Sequence, residues 1–184
     1  MILSKSKIQQ LIEKGEIVIH PFRQDCLNPN SYDVHLGEYI GVYVDHELDA
    51  KKHNKIQIKK IPLEGIWLMP GELYLGVTEE YTETHFTVPH LDGKSSVGRL
   101  GIDIHCTAGK GDVGFRGKWT LEIKVVKPVR VYKYMPIGQL TYYEISGDIS
   151  QKYNEKGSSK YNNQSDLPME SMMWKNFAHI YEPE

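Results

Sequence analysis

Residues 93–123, GKSSVGRLGIDIHCTAGKGDVGFRGKWTLEI, constrain this chain more than any other stretch, because small residues, basic side chains, serines and carboxylates crowd into one hairpin-like unit. Gly93, Lys94, Ser95 and Ser96 offer flexible backbone amides, a cation and two hydroxyls, and Arg99 adds a planar guanidinium able to grip oxyanions in bidentate fashion. That is the composition of an anion pocket; the plainer alternative is a turn with ordinary surface charges. A P-loop is excluded, since its pattern needs glycine where Val88 stands and no helical pattern clearly follows.

Downstream, Gly109, Gly111 and Gly114 surround Asp112, which lets the backbone approach a flat ligand closely at a bend. Asp112 reads equally as an Asx-turn residue there. Residues 119–123 then read as a strand, with Trp119, Leu121 and Ile123 on one face and Thr120, Glu122 and Lys124 on the other. If that second face is solvent, Glu122 is a surface residue beside Lys124; if it lines a cleft, burial would raise its pKa toward that of a general base.

At 184 residues and 40% hydrophobic, the chain is long enough for one core, burying roughly 70% of its unfolded surface, so a single domain over 1–184 is expected. The 22 basic residues face 24 acidic ones, for a formal charge of −2, which argues against nucleic acid as a partner. No apolar run approaches membrane-spanning length, and the first residues lead straight into an amphipathic pattern, so no membrane association and a cytoplasmic location are expected. Cys26 and Cys106 stand in no C-x-x-C, and no H-x-E with a later P-C-x-x-C exists, so neither a structural nor a catalytic zinc site of those patterns is encoded. His105, before Cys106, reads as a strand residue rather than a metal ligand.

Along the chain, Ile8, Leu11 and Ile12 recur at helical spacing, with a capping box from Ser6 to Gln9 or an N-cap at Ser4, and Gly15 as the stop. From Ile17 onward the pattern becomes short alternating runs at 17–19, 32–36 and 39–44, punctuated by Pro21, Pro29 and Gly37. Residues 45–60 form a charged excursion ending in a strand near 55–58. Further strands are expected at 73–77 and 86–91, and 129–132 with 139–143 should make a closing pair. Many short strands with Gly/Pro turns and one helix predict a mostly β barrel or sandwich. Beyond Gly147 the composition turns polar until Met172, Met173 and Trp174: either a flexible tail or a lid, over about 147–184. Trp174 and Phe177 suggest that it docks.

These motifs resemble those of the dCTP deaminase family, a branch of the trimeric dUTPase-like fold. GKSSVGRLG is similar to the phosphate motif GRSSxxRxG, AGKGDVGF to the base-binding turn AGxIDxGF/W, and TLEI to the strand carrying the catalytic glutamate. Residues 30–37 resemble the family's S-x-D-x-x-L-G strand and residues 159–164 its KYxxQ lid, so the likeness runs over most of the chain. The resemblance implies a distorted β-barrel of the dUTPase-like type with a short N-terminal helix and a C-terminal lid, assembled as a homotrimer with sites between subunits. It implies zinc-independent deamination of dCTP to dUTP and ammonia, with Glu122 as general base and acid. Asp112 would hold the 3′-hydroxyl, Phe115 would exclude ribonucleotides, and Thr107, Ala108 and Gly109 would read the base. Lys94, Ser95, Ser96, Arg99 and Gln139 would hold the triphosphate, with Mg2+ carried by the nucleotide, and Lys160, Tyr161 and Gln164 would close over it. dTTP is the inhibitor the family suggests.

Two alternatives stand beside this expectation: a bifunctional enzyme that goes on to dUMP and pyrophosphate, and a non-catalytic nucleotide-binding regulator. Lys94 in place of arginine loses the bidentate fork. Lys110-Gly111 replaces an aromatic and an aliphatic residue, Lys124 stands near a usual asparagine, and residues 166–168 alter the Gly-Pro element of the lid.

Overall fold

The computed structural model of the chain describes residues 1–177. The first element is helix α1 (Lys5–Glu13), capped by Ser4, whose hydroxyl accepts from the Lys7 amide at 3.4 Å. Ser4 is therefore the cap, and the expected box starting at Ser6 lies inside the helix. Ile8 and Leu11 bury the inner face, and Gly15 follows in the left-handed region at φ +70°, where glycine escapes the Cβ penalty.

Twelve strands follow: β1 (Ile17–His20), β2 (Tyr32–Tyr43), β3 (Ile56–Lys60), β4 (Ile66–Leu68), β5 (Tyr74–Thr78), β6 (Tyr81–Thr84), β7 (Thr87–Gly93), β8 (Ile102–Asp103), β9 (Arg116–Gly117), β10 (Thr120–Val125), β11 (Val129–Val131) and β12 (Pro136–Glu144). One-turn helix α2 (Ser95–Gly98) sits between β7 and β8 and contains both serines, a helical turn where the sequence showed no clear helical pattern. The main sheet runs β7-β12-β2-β5-β10-β8 with β3 on β2; β1-β6-β9 and β4-β11 form smaller sheets, and the whole makes a nearly closed, barrel-like shell.

Two expectations need correction. Residues 129–132 and 139–143 do not pair with each other: β11 runs antiparallel to β4, while β12 lies between β7 and β2. Gly37 does not end a strand, because β2 runs through it as one 12-residue strand whose register against β5 shifts between Leu36 and Ile40. A Cβ at Gly37 would stand 2.9 Å from the Val77 carbonyl oxygen, so the glycine permits the close approach of backbones at that irregularity.

The interior is filled by inward positions of the alternating strands, among them Tyr32, Val34, Leu36, Leu91, Leu121, Ile123, Ile137 and Leu140. A polar seam ties β2 to its neighbours: Glu38 accepts from Lys133 at 2.9 Å and pairs with Lys60 at 3.2 Å. Hydrogen bonds from Lys133, Tyr134 and Lys60 push the Glu38 carboxyl down to about 2. A folded-state value below the ordinary one means that this contact stabilises the fold above about pH 4.5 and is lost as pH falls toward 2. Replacing Lys133 by Met should therefore lower stability at neutral pH by an amount that shrinks steadily as pH falls from about 4.5 toward 2. Urea denaturation of both proteins across that range checks this; a difference independent of pH would contradict it.

Candidate functional site

Strand β10 places Leu121 and Ile123 in the core, fully buried, and turns Thr120 and Glu122 the other way. That other face is not open solvent. It is one wall of a cavity of about 480 Å³, lined also by Tyr43, Leu75, Ala108, Asp112 and Phe115. Glu122 is half-buried there and lies opposite Leu75 of β5. Its Oε2 accepts from the Cys106 amide at 2.8 Å, while Oε1 has no hydrogen-bond partner among the described residues. One carboxylate oxygen is thus fixed by backbone and the other is left for a ligand or water.

The loop between β8 and β9 forms the second wall. Gly109 has no room for a side chain, since a Cβ would stand 2.6 Å from the Leu91 carbonyl oxygen and 3.1 Å from the His90 ring. At Gly111 a Cβ would stand 2.6 Å from the Trp119 ring, so the indole leaves no room for a side chain there. Trp119 is held there by its Nε1, which donates to Thr82 Oγ1 at 2.9 Å, and it packs against Phe115 with ring centroids 4.6 Å apart. Asp112 accepts through its backbone carbonyl from the Phe115 amide at 3.1 Å, closing the bend.

His105 does not lie in a strand. It follows β8 by two residues, and neither ring nitrogen has a hydrogen-bond partner among the described residues. Burial holds the imidazole below its usual range, against the opposing pull of Glu122, so it is neutral at pH 7. The cluster His35, Glu79 and Glu80 has the donor types of a metal site, but Arg23 already supplies its positive charge, bridging Glu79 at 2.8 Å and Glu80 at 3.2 Å. His35 Nδ1 lies 2.6 Å from Glu80, which is fully buried.

The third wall comes from the polar tail. Tyr153, Tyr161, Gln164, Met169, Glu170 and Ser171 all line the cavity. Thr120 Oγ1 donates to Gln164 Oε1 at 2.6 Å and accepts from the Met169 amide at 3.1 Å. The Gln164 carbonyl accepts from the Lys118 amide at 3.1 Å, and the Asn163 amide donates to the Arg116 carbonyl at 2.8 Å. Tyr153 OH accepts from the Tyr161 amide at 3.0 Å. The tail is thus laid across the cavity by main-chain bonds, with Gln164 only 7% exposed.

The candidate residues fall into two groups. Glu122, Asp112, Ala108, Phe115, Tyr161 and Gln164 meet at the cavity, with Thr107 and Gly109 in the same loop but off its wall. Lys94, Ser95, Ser96, Arg99 and Gln139 are elsewhere on the chain. Ser95, Ser96 and Arg99 are exposed on and after α2, Lys94 is ion-paired with Asp33, and Gln139 on β12 lies between Asp92 and Asp33 and accepts from Ser31 at 3.5 Å. Lys160 is bonded to Asn176 within the tail. Sequence reasoning did not find Cys106, Tyr43, Tyr153 or Glu170 as lining residues. Thr120 was available from its alternation with Glu122; the others depend on tertiary approach.

A nearly closed β-shell thus carries a cavity on the outer face of one strand, roofed by a C-terminal strap. The chain belongs to the dCTP deaminase-like family, whose model matches residues 2–145. A relative in Clostridium acetobutylicum named "dCTP deaminase, dUMP-forming" is 48% identical over 179 residues, covering 97% of this chain and 100% of the relative. One in Leptospira biflexa with the same name is 48% identical over 178 residues, covering 96% and 98%. The crystal structure of 2′-deoxycytidine 5′-triphosphate deaminase from Agrobacterium tumefaciens shares the fold, with TM-score 0.61 and 19% identity over 80% of this chain. This chain spans about half of that one, 49%.

At Gly117, φ +134°, the tail runs close against the barrel, since a Cβ there would lie 2.6 Å from the Gln164 main-chain nitrogen. Gly117→Ala should cost about 1–3 kcal/mol, as overpacking does, and loosen the tail first. Hydrogen exchange should speed up at the Lys118 and Asn163 amides while β12 keeps its protection; equal loss in both places would contradict this.

Proposed function

We propose that this chain is a zinc-independent dCTP deaminase that carries its product on to dUMP. The observation that bears most weight is Glu122, half-buried at the cavity wall, with one oxygen held by the Cys106 amide. The dUMP-forming names of relatives that match over nearly their whole length favour the bifunctional reading over release of dUTP. In the net reaction dCTP and two waters give dUMP, ammonia and pyrophosphate.

In the first step the free oxygen of Glu122 takes a proton from water as the water oxygen bonds to C4 of cytosine. The same carboxyl then hands that proton to the amine as the C4–N bond breaks, so a single group serves as base and acid. Its hydrogen bond to the Cys106 amide fixes which oxygen does this. The glycine-rich loop, with Thr107, Ala108 and Gly109, presents backbone to the base edge. Asp112 takes the sugar 3′-hydroxyl, and Phe115, backed by Trp119, closes the space where a 2′-hydroxyl would stand. In the second step water attacks the phosphate chain and pyrophosphate leaves, with Asp112 orienting the water. The substrate is the nucleotide with its Mg2+.

The triphosphate falls to Lys94, Ser95, Ser96, Arg99 and Gln139, with Lys160, Tyr161 and Gln164 closing over it. Because the first five do not share the cavity within one chain, the reading includes a homotrimer in which the phosphate group of one subunit faces the cavity of another. We place the enzyme in the cytoplasmic deoxynucleotide pool; among the described residues no helix is long and apolar enough to cross a membrane. dTTP, sharing the sugar and phosphates, is the expected inhibitor.

Glu122→Gln should lower kcat for dCTP deamination by about 10²–10⁴-fold, the usual worth of a general acid–base, with nucleotide affinity retained. Arg99→Ala should be crippled as well. Co-expressed in mixed trimers, the two variants should regain activity, because one site then carries both native groups. An active Glu122→Gln protein would overturn the assignment of the base, and mixed assemblies no better than either variant would overturn the shared site.

A further inference from the structure

The charged excursion at residues 44–55, between β2 and β3, takes no part in the cavity wall, yet the end of the tail is fastened to it. His53 Nε2 lies 2.6 Å from Glu170 Oε1, and the His53 ring packs on Trp174 with centroids 5.7 Å apart. Lys51 Nζ stands 5.8 Å from the Phe177 ring centroid. At the end of β2, Tyr43 OH accepts from the Ser171 amide at 3.1 Å.

The excursion is built to present His53. Asn54, only 8% exposed, cinches it from within: its Oδ1 accepts from the Asp49 amide at 3.0 Å, and its Nδ2 donates to the carbonyls of Asp49 at 2.9 Å and Lys52 at 3.0 Å. A satisfied amide at that depth fixes the loop before the tail arrives, so little ordering is left to oppose docking. Glu170 and Ser171, which the excursion and Tyr43 hold, are themselves cavity walls. Burial pushes the Glu170 carboxyl up, but the hydrogen bond from His53, a main-chain hydrogen bond and the His53 charge together outweigh it and hold the carboxyl below its usual range, so it is ionised at neutral pH.

We infer that His53 is a positioning residue for the reaction proposed above: through Glu170 it latches the tail over the cavity, and it tightens nucleotide binding without touching the nucleotide. The inference rests on that reading for its kinetic consequence but not for the latch itself. A closed roof holds ground state and transition state alike, so losing the latch raises KM and leaves kcat nearly unchanged.

The test uses the full-length enzyme with His53→Ala, His53→Gln, Glu170→Gln and the double variant His53→Ala/Glu170→Gln. KM and kcat are measured with Mg2+-dCTP, and tryptic cleavage within residues 147–177 is followed without nucleotide. His53→Ala should raise KM about fivefold, as suits a partly exposed pair, with kcat within about twofold. The double variant should be no worse than either single one, His53→Gln should recover most of the loss, and the tail of His53→Ala should be cut faster. Unchanged KM, multiplying effects in the double variant, or unchanged digestion would each overturn the latch. A native protein that leaves dCTP untouched would defeat the deaminase reading, and digestion alone would then judge the latch.

Discussion

Strand β10 answers two opposed demands within six residues, and the rest of the site depends on its register. Leu121 and Ile123 must be fully buried, while Glu122 must reach the cavity on the opposite face. Pairing with β5 sets Glu122 opposite Leu75, and pairing with β8 sets Lys124 opposite Asp103. A slip of one residue would turn the carboxylate into the core and two large aliphatic side chains into the cavity, at a cost far above that of any single contact. The apolar core therefore holds the polar site in place. The Cys106 amide adds the finer adjustment, since it selects the oxygen of Glu122 that stays free.

The same outward face recruits the tail. Thr120, two residues before Glu122, both donates to Gln164 and accepts from the Met169 amide. Tyr43, Tyr153 and Tyr161 each accept a main-chain amide of the tail through their hydroxyls. A segment poor in apolar residues is thus ordered by satisfying its backbone donors, at a net worth of about 1 kcal/mol per bond. Such a cover is held by several weak, reversible bonds, which suits a roof that must open for substrate and product.

Much of this was legible in the sequence. Strict alternation marked β10 and its two faces, the Ser4 and Gly15 punctuation marked α1, and the glycine-rich string around Asp112 marked the loop that approaches the cavity. What was hidden depends on partners distant in sequence. Strands β8 and β9 are two residues long, too short for any period, and the pairing of β11 with β4 rather than β12 is a matter of topology. Polar composition could not separate a loose tail from a roof, because several of the acceptors that order it, on Tyr43, Arg116 and Thr120, lie far off in the sequence on β2, β9 and β10. The Cys106 contact is a main-chain bond and leaves no mark on residue identity. The separation of Lys94, Ser95, Ser96, Arg99 and Gln139 from the cavity was foreshadowed only by the resemblance, which implies sites between subunits.

The central claim is that this cavity converts a cytosine deoxynucleotide to a uracil monophosphate in one pass. Its most direct test is a time course of the purified protein with Mg2+-dCTP, followed by phosphorus NMR with a parallel assay for ammonia. The account predicts dUMP, pyrophosphate and ammonia rising together, with no free dUTP at any time. Accumulating dUTP with ammonia and no pyrophosphate would contradict the second step, and intact dCTP would contradict the enzyme itself.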